Sequence, residues 1–257
     1  MKHITVSQLY FDLFSDYLKK LDAPHLHKSV ELIEEKQCKD VYQKRVDQSE
    51  IERIIETIEK RTNNLSFGLK IGEHIHPSDY GTIGYALMNF PTLFGALNFA
   101  AQHKHLLNEA FSTRLIEKGS RYHYQTNIIT VSRNLATLVE LDFASAIQLA
   151  RFFVGAQKDD EVQIVQINFQ HQPLCDLSDY QRVFKCPVYF GQKINEFIMS
   201  KPVHELSIRS VNPKLLSLMF RKYARSNRYY WSKISIWGRV YNYISVTLRC
   251  YLVIFIG

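Results

Sequence analysis

Residues 74–90 read HIHPSDYGTIGYALMNF. His74 and His76 stand one residue apart with Asp79 shortly after, the residue types of a metal site, and His-x-His returns at His25/His27 and His103/His105. Ligands two apart share a face only on an extended strand, where side chains alternate. His103 and His105 fall in a stretch of helical period, where two positions turn the side chain by roughly 200°. They cannot grip one ion together. His25 and His27 follow Pro24 in a polar connection. His74 and His76 can converge if extended, but no third and fourth ligand stands at a defined spacing, and a metal needs that closed set. The reading is no metal and no cofactor.

Other chemistry fares no better. No Gly-x-Ser-x-Gly elbow is present. Cys175 and Cys186 read as small buried hydrophobes, with Lys185 beside Cys186 the one contrary signal. The glycines at 68, 72, 81, 84 and 95 lack the Gly-Lys-Ser/Thr end of a phosphate loop. Asp159, Asp160 and Glu161 read as a solvated loop after a helix. The sequence is not that of an enzyme on these grounds.

The elements that position these residues follow from periodicity. Ser7 caps a first helix whose apolar face is Tyr10, Leu13, Phe14, Tyr17, Leu18 and Leu21, ended by Asp22-Ala23-Pro24. A second helix is read over about 28–37, and a third from Ser49 to Arg61, broken at Asn63-Asn64. A short helix between Ser78/Asp79 and Pro91 comes next, and Thr92 caps another that carries Leu93, Leu97, Ala100 and Leu107 inward. Alternation around Lys118-Gly119 marks a β-hairpin. A long helix from Leu135 turns Leu138, Leu141, Leu149 and Phe152 toward a core and ends at Gly155. Strands are read at 162–169, at 186–190 and, across Gly191, at 195–200. The expected fold class is α+β, helix-rich, with a mostly antiparallel sheet of about five strands joined largely by hairpins.

Composition divides the chain in two. With 46% hydrophobic and 13% aromatic residues it can bury a substantial core. Cys38, Cys175, Cys186 and Cys250 form no Cys-x-x-Cys pair, and Asp12 and Asp16 interrupt any leader-like start, so a reducing cytoplasm is the expected compartment. The net charge is +7, yet 206–257 holds nine Lys/Arg and no acid; 32 less nine leaves 23 basic against 25 acidic residues in 1–205. The basic excess belongs entirely to an irregular tail.

Gly81 and Gly84 lie three apart on a short helix, where a missing side chain admits another backbone or a ligand. Tyr80, Tyr85, Met88 and Phe90 surround them, either as an aromatic core or as an apolar effector pocket with two phenol hydroxyls.

The run FGLKIGEHIHPSDYGTIGYALMNFPTLFGALNF resembles the N-terminal, arabinose-binding-like domain of AraC/XylS-type transcription regulators. The residues that carry the likeness are Phe67-Gly68-Leu69 (a strand end in the family's pattern), Pro77, Gly81, Gly84, Pro91 and Thr92. A second block agrees through Phe169, His171, Pro173, Tyr180, Phe184, Cys186, Pro187 and Asn195, so the resemblance covers roughly 5–205. It implies that HIHPSD is a structural turn leading into a helix. It also implies a domain that senses an unknown small-molecule effector and forms a homodimer, with DNA contacted only through a C-terminal pair of helix-turn-helix motifs.

That module takes about a hundred residues, and 52 follow Glu205. Three readings of the tail stand: phosphate binding with aromatic stacking, contact with a membrane without spanning it, and out-of-frame translation after about Tyr223. The last is preferred, because acids, amphipathic period and the module are all missing. The expectation is therefore an effector-sensing and dimerisation domain over 1–205 and a short basic tail over 206–257, truncated before a DNA-binding half and without a membrane role. A stand-alone small-molecule binding module is the second reading, and a metal- or thiol-dependent enzyme the third.

Overall fold

The computed structural model describes residues 4–20, 45–63, 65–130, 134–155, 162–202, 206–212 and 214–218. In chain order the elements are β1 (Thr5–Ser7), α1 (Leu9–Lys20), β2 (Arg45–Asp47), α2 (Gln48–Thr62), α3 (Phe67–Glu73), a 3₁₀ turn (Pro77–Tyr80), α4 (Gly81–Leu87), α5 (Leu93–Leu107), β3 (Phe111–Lys118), β4 (Arg121–Ile128), α6 (Leu135–Val154), β5 (Ile164–Asn168), α7 (Leu177–Phe184), β6 (Val188–Tyr189) and β7 (Asn195–Ser200). The helix read at 28–37, the chain at Asp22 to Pro24 and the pair His25/His27 lie outside the described residues.

The fold is α+β. One sheet has the order β3-β4-β7-β5-β6, antiparallel except for β5 against β6. β1 and β2 form a small antiparallel pair that alternation over three residues was too short to signal. The β3–β4 hairpin closes through Gly119, whose φ of 60° suits a residue without a Cβ. Residues 186–190 and 195–200 are not hairpin partners, contrary to the reading across Gly191. β6 runs parallel to β5, and β7 inserts between β4 and β5. Buried Asn195 fixes that insertion: its amide oxygen accepts from the Gln170 backbone N–H at 2.8 Å, and its NH₂ donates to the Gln170 side chain at 2.7 Å.

Helix α6 is the spine. LATLVELDFASAIQLARFFV is apolar nearly all round, so it buries both faces. On the sheet side Phe143 stacks on Phe169 and meets Phe197 and Tyr124 edge-on. On the other side α3 lies against it almost backbone to backbone. A Cβ built on Gly68 would stand 2.7 Å from the Thr137 carbonyl oxygen, and one on Gly72 would overlap Ala144. Glycines four apart line one helix face, which permits this approach. Phe67-Gly68-Leu69 thus opens a helix, not a strand end. Phe152 is 41% exposed rather than a core residue, while its neighbours Phe153 and Val154 are buried, so the helix turns Phe152 to its outer side; the His76 ring meets it edge-on at 4.7 Å.

Residues beyond 205 take part as well. The Leu93 N–H donates to the Leu206 carbonyl at 2.9 Å, the Arg209 N–H to Phe153 at 3.2 Å, and Ile208 and Leu216 are buried.

Candidate functional site

The histidines that opened the sequence question have local roles. His76 caps the 3₁₀ turn: its ring nitrogen accepts from the Ser78 N–H at 3.3 Å, while its own N–H donates to Asp79 at 2.7 Å. That is a reciprocal capping box with histidine in the usual serine or threonine role. The His74 Nδ1–H donates to the Lys70 carbonyl at 2.8 Å. His103 is buried, stacks on Phe99 and donates Nδ1–H to the Phe99 carbonyl at 2.9 Å. Its ring lies 6.5 Å from that of His105, and burial lowers the His103 pKa to about 4. Among the described residues no group of three His, Cys, Asp or Glu could hold a metal ion.

Gly84 is a packing device, since a Cβ there would collide with the Pro77 carbonyl; Gly81, with a φ of 50°, turns the chain into α4. The Thr92 hydroxyl caps α5 by accepting from the Gly95 N–H at 3.2 Å, as Pro91 ahead of it and helix-forming residues behind it require. Cys186 is buried and its thiol is pushed up to about 11 by that burial, a poor nucleophile at neutral pH. Pro187 supplies the carbonyl that accepts from the Ile167 N–H at 3.0 Å.

The four aromatic and sulfur side chains proposed for a pocket are spread apart. Tyr85 is 46% exposed. Phe90 packs tilted on Phe99 with ring centres 5.4 Å apart. Met88 lines a surface groove of about 850 Å³ together with Glu73, Arg151, Phe152, Arg182 and Arg209. Tyr80, Met88 and Phe90 are all partly buried against the core, and Tyr80 brings its phenol to buried charges.

Tyr80 adjoins a buried polar cluster. Lys104 of α5 and Asp142 of α6 form an ion pair with side chains only 6% and 2% exposed. Burial pulls the Lys104 ammonium down, but Asp142 and the phenols of Tyr10, Tyr80 and Tyr124 outweigh it and hold it well above an ordinary lysine. Burial raises the Asp142 carboxyl, and Lys104 opposes that rise. The same burial pushes all three phenols upward, so they stay protonated donors. Five elements converge here: α1 with Tyr10, the 3₁₀ turn with Tyr80, α5 with Lys104, β4 with Tyr124 and α6 with Asp142. One helical turn past Asp142 lies Ser145, whose hydroxyl acts as a hydrogen-bond partner of the Tyr80 phenol and opposes the upward push of burial. Asp142 Oδ2 is buried without a hydrogen-bond partner among the described residues. Buried polar atoms are seldom left so.

A second groove, of about 510 Å³, is lined not by these cluster residues but by sequence neighbours of two of them. On α1, Leu13 and Tyr17 line the groove and Tyr10 is three residues before Leu13, on the same helix face. Asp79, which also lines it, directly precedes Tyr80. The lining carries five carboxylates, Asp12, Asp16, Glu73, Asp79 and Asp179, against Lys70, Arg182 and His74. Arg182 is held by Glu73 and by Asp179 at 3.2 Å.

A separate buried group stands on the opposite turn of α6. Glu140 is fully buried and accepts the Tyr180 hydroxyl proton, while that hydroxyl accepts from the Leu174 N–H at 2.9 Å. His171 Nε2 lies 3.7 Å from Glu140, and its Nδ1–H donates to the Gln172 carbonyl at 2.7 Å. Burial raises the Glu140 carboxyl to about 8. The sequence reading passed over Lys104, Glu140 and Asp142. A signal was there: two acids inside an otherwise apolar helix, and a lysine inside another.

Comparison with known proteins completes the picture. A family model described as the arabinose-binding domain of AraC transcription regulators, N-terminal, matches residues 21–206. The ornithine utilization regulator of Pseudomonas aeruginosa is 23% identical over 155 residues, which is 60% of this chain and 44% of that protein. The chain therefore spans less than half the length of that relative. The crystal structure of the transcriptional regulator CdpR from Pseudomonas aeruginosa superposes with a TM-score of 0.54 at 19% identity, covering 65% of this chain and 54% of that one. At that identity the likeness concerns the fold.

Proposed function

This chain belongs to the family of N-terminal arabinose-binding domains of AraC transcription regulators, and from that membership we propose that it senses a small-molecule effector and passes the result on through a dimer. The observation that carries the reading is the groove of about 510 Å³, in which Leu13, Tyr17, Ile71 and Ile75 stand beside charged side chains. Small-molecule sites combine a concave surface with a few convergent polar groups.

The mechanism is a shift between arrangements. An effector that binds one arrangement of α1, the 3₁₀ turn and α6 better than another moves the population toward it, by no more than its differential affinity. Recognition of an operator belongs to the other half of a complete regulator, and this chain is proposed to contribute sensing and dimerisation rather than base contacts. Cytoplasmic residence goes with that role. Among the described residues no helix is long and apolar enough to cross a membrane.

The test is a thermal-shift screen of the full chain against amino acids, sugars, fatty acids and divalent metals, with mass read by light scattering. An effector at a hundred times its dissociation constant stabilises by about 2.7 kcal/mol, and the scattering mass is expected at twice the chain's. A monomer that no organic metabolite stabilises would overturn the proposal.

A further inference from the structure

The five-stranded sheet ends differently on its two sides. On one side the outer strand is β6, only two residues long, with Pro187 directly ahead of it and Gly191 close behind. Short strands and prolines protect a sheet edge from pairing with another chain. On the other side the outer strand is β3, eight residues long. It keeps one register with β4 from Phe111 to Lys118, with no bulge, proline or glycine to blunt it. Among the described residues, 112–118 make no backbone–backbone hydrogen bond beyond their pairing with β4. Phe111, Thr113 and Leu115 turn toward the core, and Ser112, Arg114 and Ile116 toward the outer face of the sheet. A long, regular edge of this kind is a template for one more strand.

The charges on β3 suit a second copy of the same strand. A closed two-fold pairing of identical edges is antiparallel, with its axis normal to the sheet. Such an axis keeps core-facing residues beside core-facing ones, so it must pass at one residue of β3. Like charges directly opposite each other destabilise a pair of strands. An axis at Arg114 sets that residue against itself, and an axis at Glu117 does the same to a carboxylate. An axis at Ile116 sets Arg114 against Lys118. An axis at Leu115 avoids every such clash: Arg114 faces Ile116, Glu117 faces Thr113 and Lys118 faces Ser112, and residues 112–118 are all paired. An axis at Thr113 is also free of clashes but pairs only 111–115. Charge thus selects the register.

We propose that the outer edge of β3 is the dimer interface of this chain, with two β3 strands paired antiparallel, Leu115 on the two-fold axis and the two sheets joined into one. This rests on the dimer half of the reading above and says where the two copies meet. Leu115, half-buried against the core, is covered by its own counterpart. Main-chain hydrogen bonds supply the attraction, and the charged side chains fix the register. Helix α5 runs into β3 through Asn108 to Ala110 and packs on it. The two-fold axis therefore places both α5 helices on the same side of the joined sheet.

The test uses the full chain, with mass read by light scattering and disulfide crosslinking driven by copper phenanthroline. The parent is expected at twice the chain's mass. Leu115→Cys is expected to form a reducible covalent dimer well above the parent's own background, since opposite Cα atoms stand about 4.5–5.5 Å apart, within disulfide reach. Lys118→Cys is expected to form none, because Lys118 faces Ser112 and two cysteines at 118 lie roughly 20 Å apart along the strands. Ile116→Arg sets like charges opposite Arg114 twice and is expected to raise the dimer's dissociation constant about tenfold, whereas Ile116→Glu leaves it level or lowers it. A folding defect at position 116 would not follow the sign of the charge. A dimer that Leu115→Cys fails to crosslink, or in which the two charges at 116 act alike, would overturn the β3 interface and leave the dimer reading standing. A monomeric parent would overturn both, and the edge would then be left to a strand from another protein.

Discussion

Lys104 and Asp142, separated by 38 positions in sequence, meet as a buried ion pair that joins α5 to α6 beneath Tyr10 of α1. Removing one partner strands a charge in low dielectric, whereas removing both does not. Asp142→Ala is expected to lower stability by about 3–5 kcal/mol. Lys104→Met combined with Asp142→Leu is expected to restore most of that loss. Urea unfolding of the three proteins decides it, and a double variant no better than the single one would show that the charges do not act as a pair.

The α3–α6 contact depends on a residue with no side chain. Gly72→Ala places a methyl against Ala144 and the backbone of Leu141 and Ser145. Overpacking of this kind costs about 1–3 kcal/mol. An alanine at exposed Gly119 meets no neighbour but must hold a φ of 60°, so its loss is through backbone strain alone. Thermal denaturation of both variants compares the two effects, and a neutral Gly72→Ala would mean that the two helices can part without cost.

Stability should depend on pH through Glu140. Its folded-state pKa is raised to about 8 from 4.5, chiefly by burial. A carboxyl raised in this way contributes its stability in full below pH 4.5 and loses it as pH climbs to about 8. His103 has the opposite sign: depressed to about 4, it contributes in full above pH 6.5 and loses as pH falls toward 4. Glu140→Gln is expected to flatten the alkaline side of the stability profile and leave the acidic side alone. Melting temperatures from pH 4 to 9 measure this, and an unaltered slope between 6 and 8 in Glu140→Gln would contradict it.

His76 is expected to behave as a helix cap. His76→Ala should cost about 0.5–2 kcal/mol, the range for losing a capping side chain, with Asn at that position recovering part of it. Millimolar zinc should leave the melting temperature of the parent chain unaltered. A zinc-dependent rise that vanishes in His76→Ala would restore the metal reading.

Much of the frame was legible in the order of residues. Local rules placed α2, α5, the β3–β4 hairpin and the Gly155 end of α6, since caps, turns and apolar period act within a few residues of each other. The sheet order was not legible. Which strand β7 lies beside is decided by Asn195 meeting Gln170 across 25 positions, and no local pattern records that choice. Phe67-Gly68-Leu69, a strand end in the pattern of the family it resembles, opens a helix instead, and seven residues are too few for period to have shown it.

The candidate site divides along the same line. The sequence by itself determined the family, through glycines, prolines and caps whose backbone requirements few other residues meet. It also showed acids within α6 and a lysine within α5, and from period alone those are merely polar residues on apolar helices. Only the tertiary structure decided that Lys104, Asp142, Ser145 and three tyrosines share one buried volume. The reason is physical: the energy of a charge depends on what surrounds it in space, and five separate segments of the chain supply those surroundings.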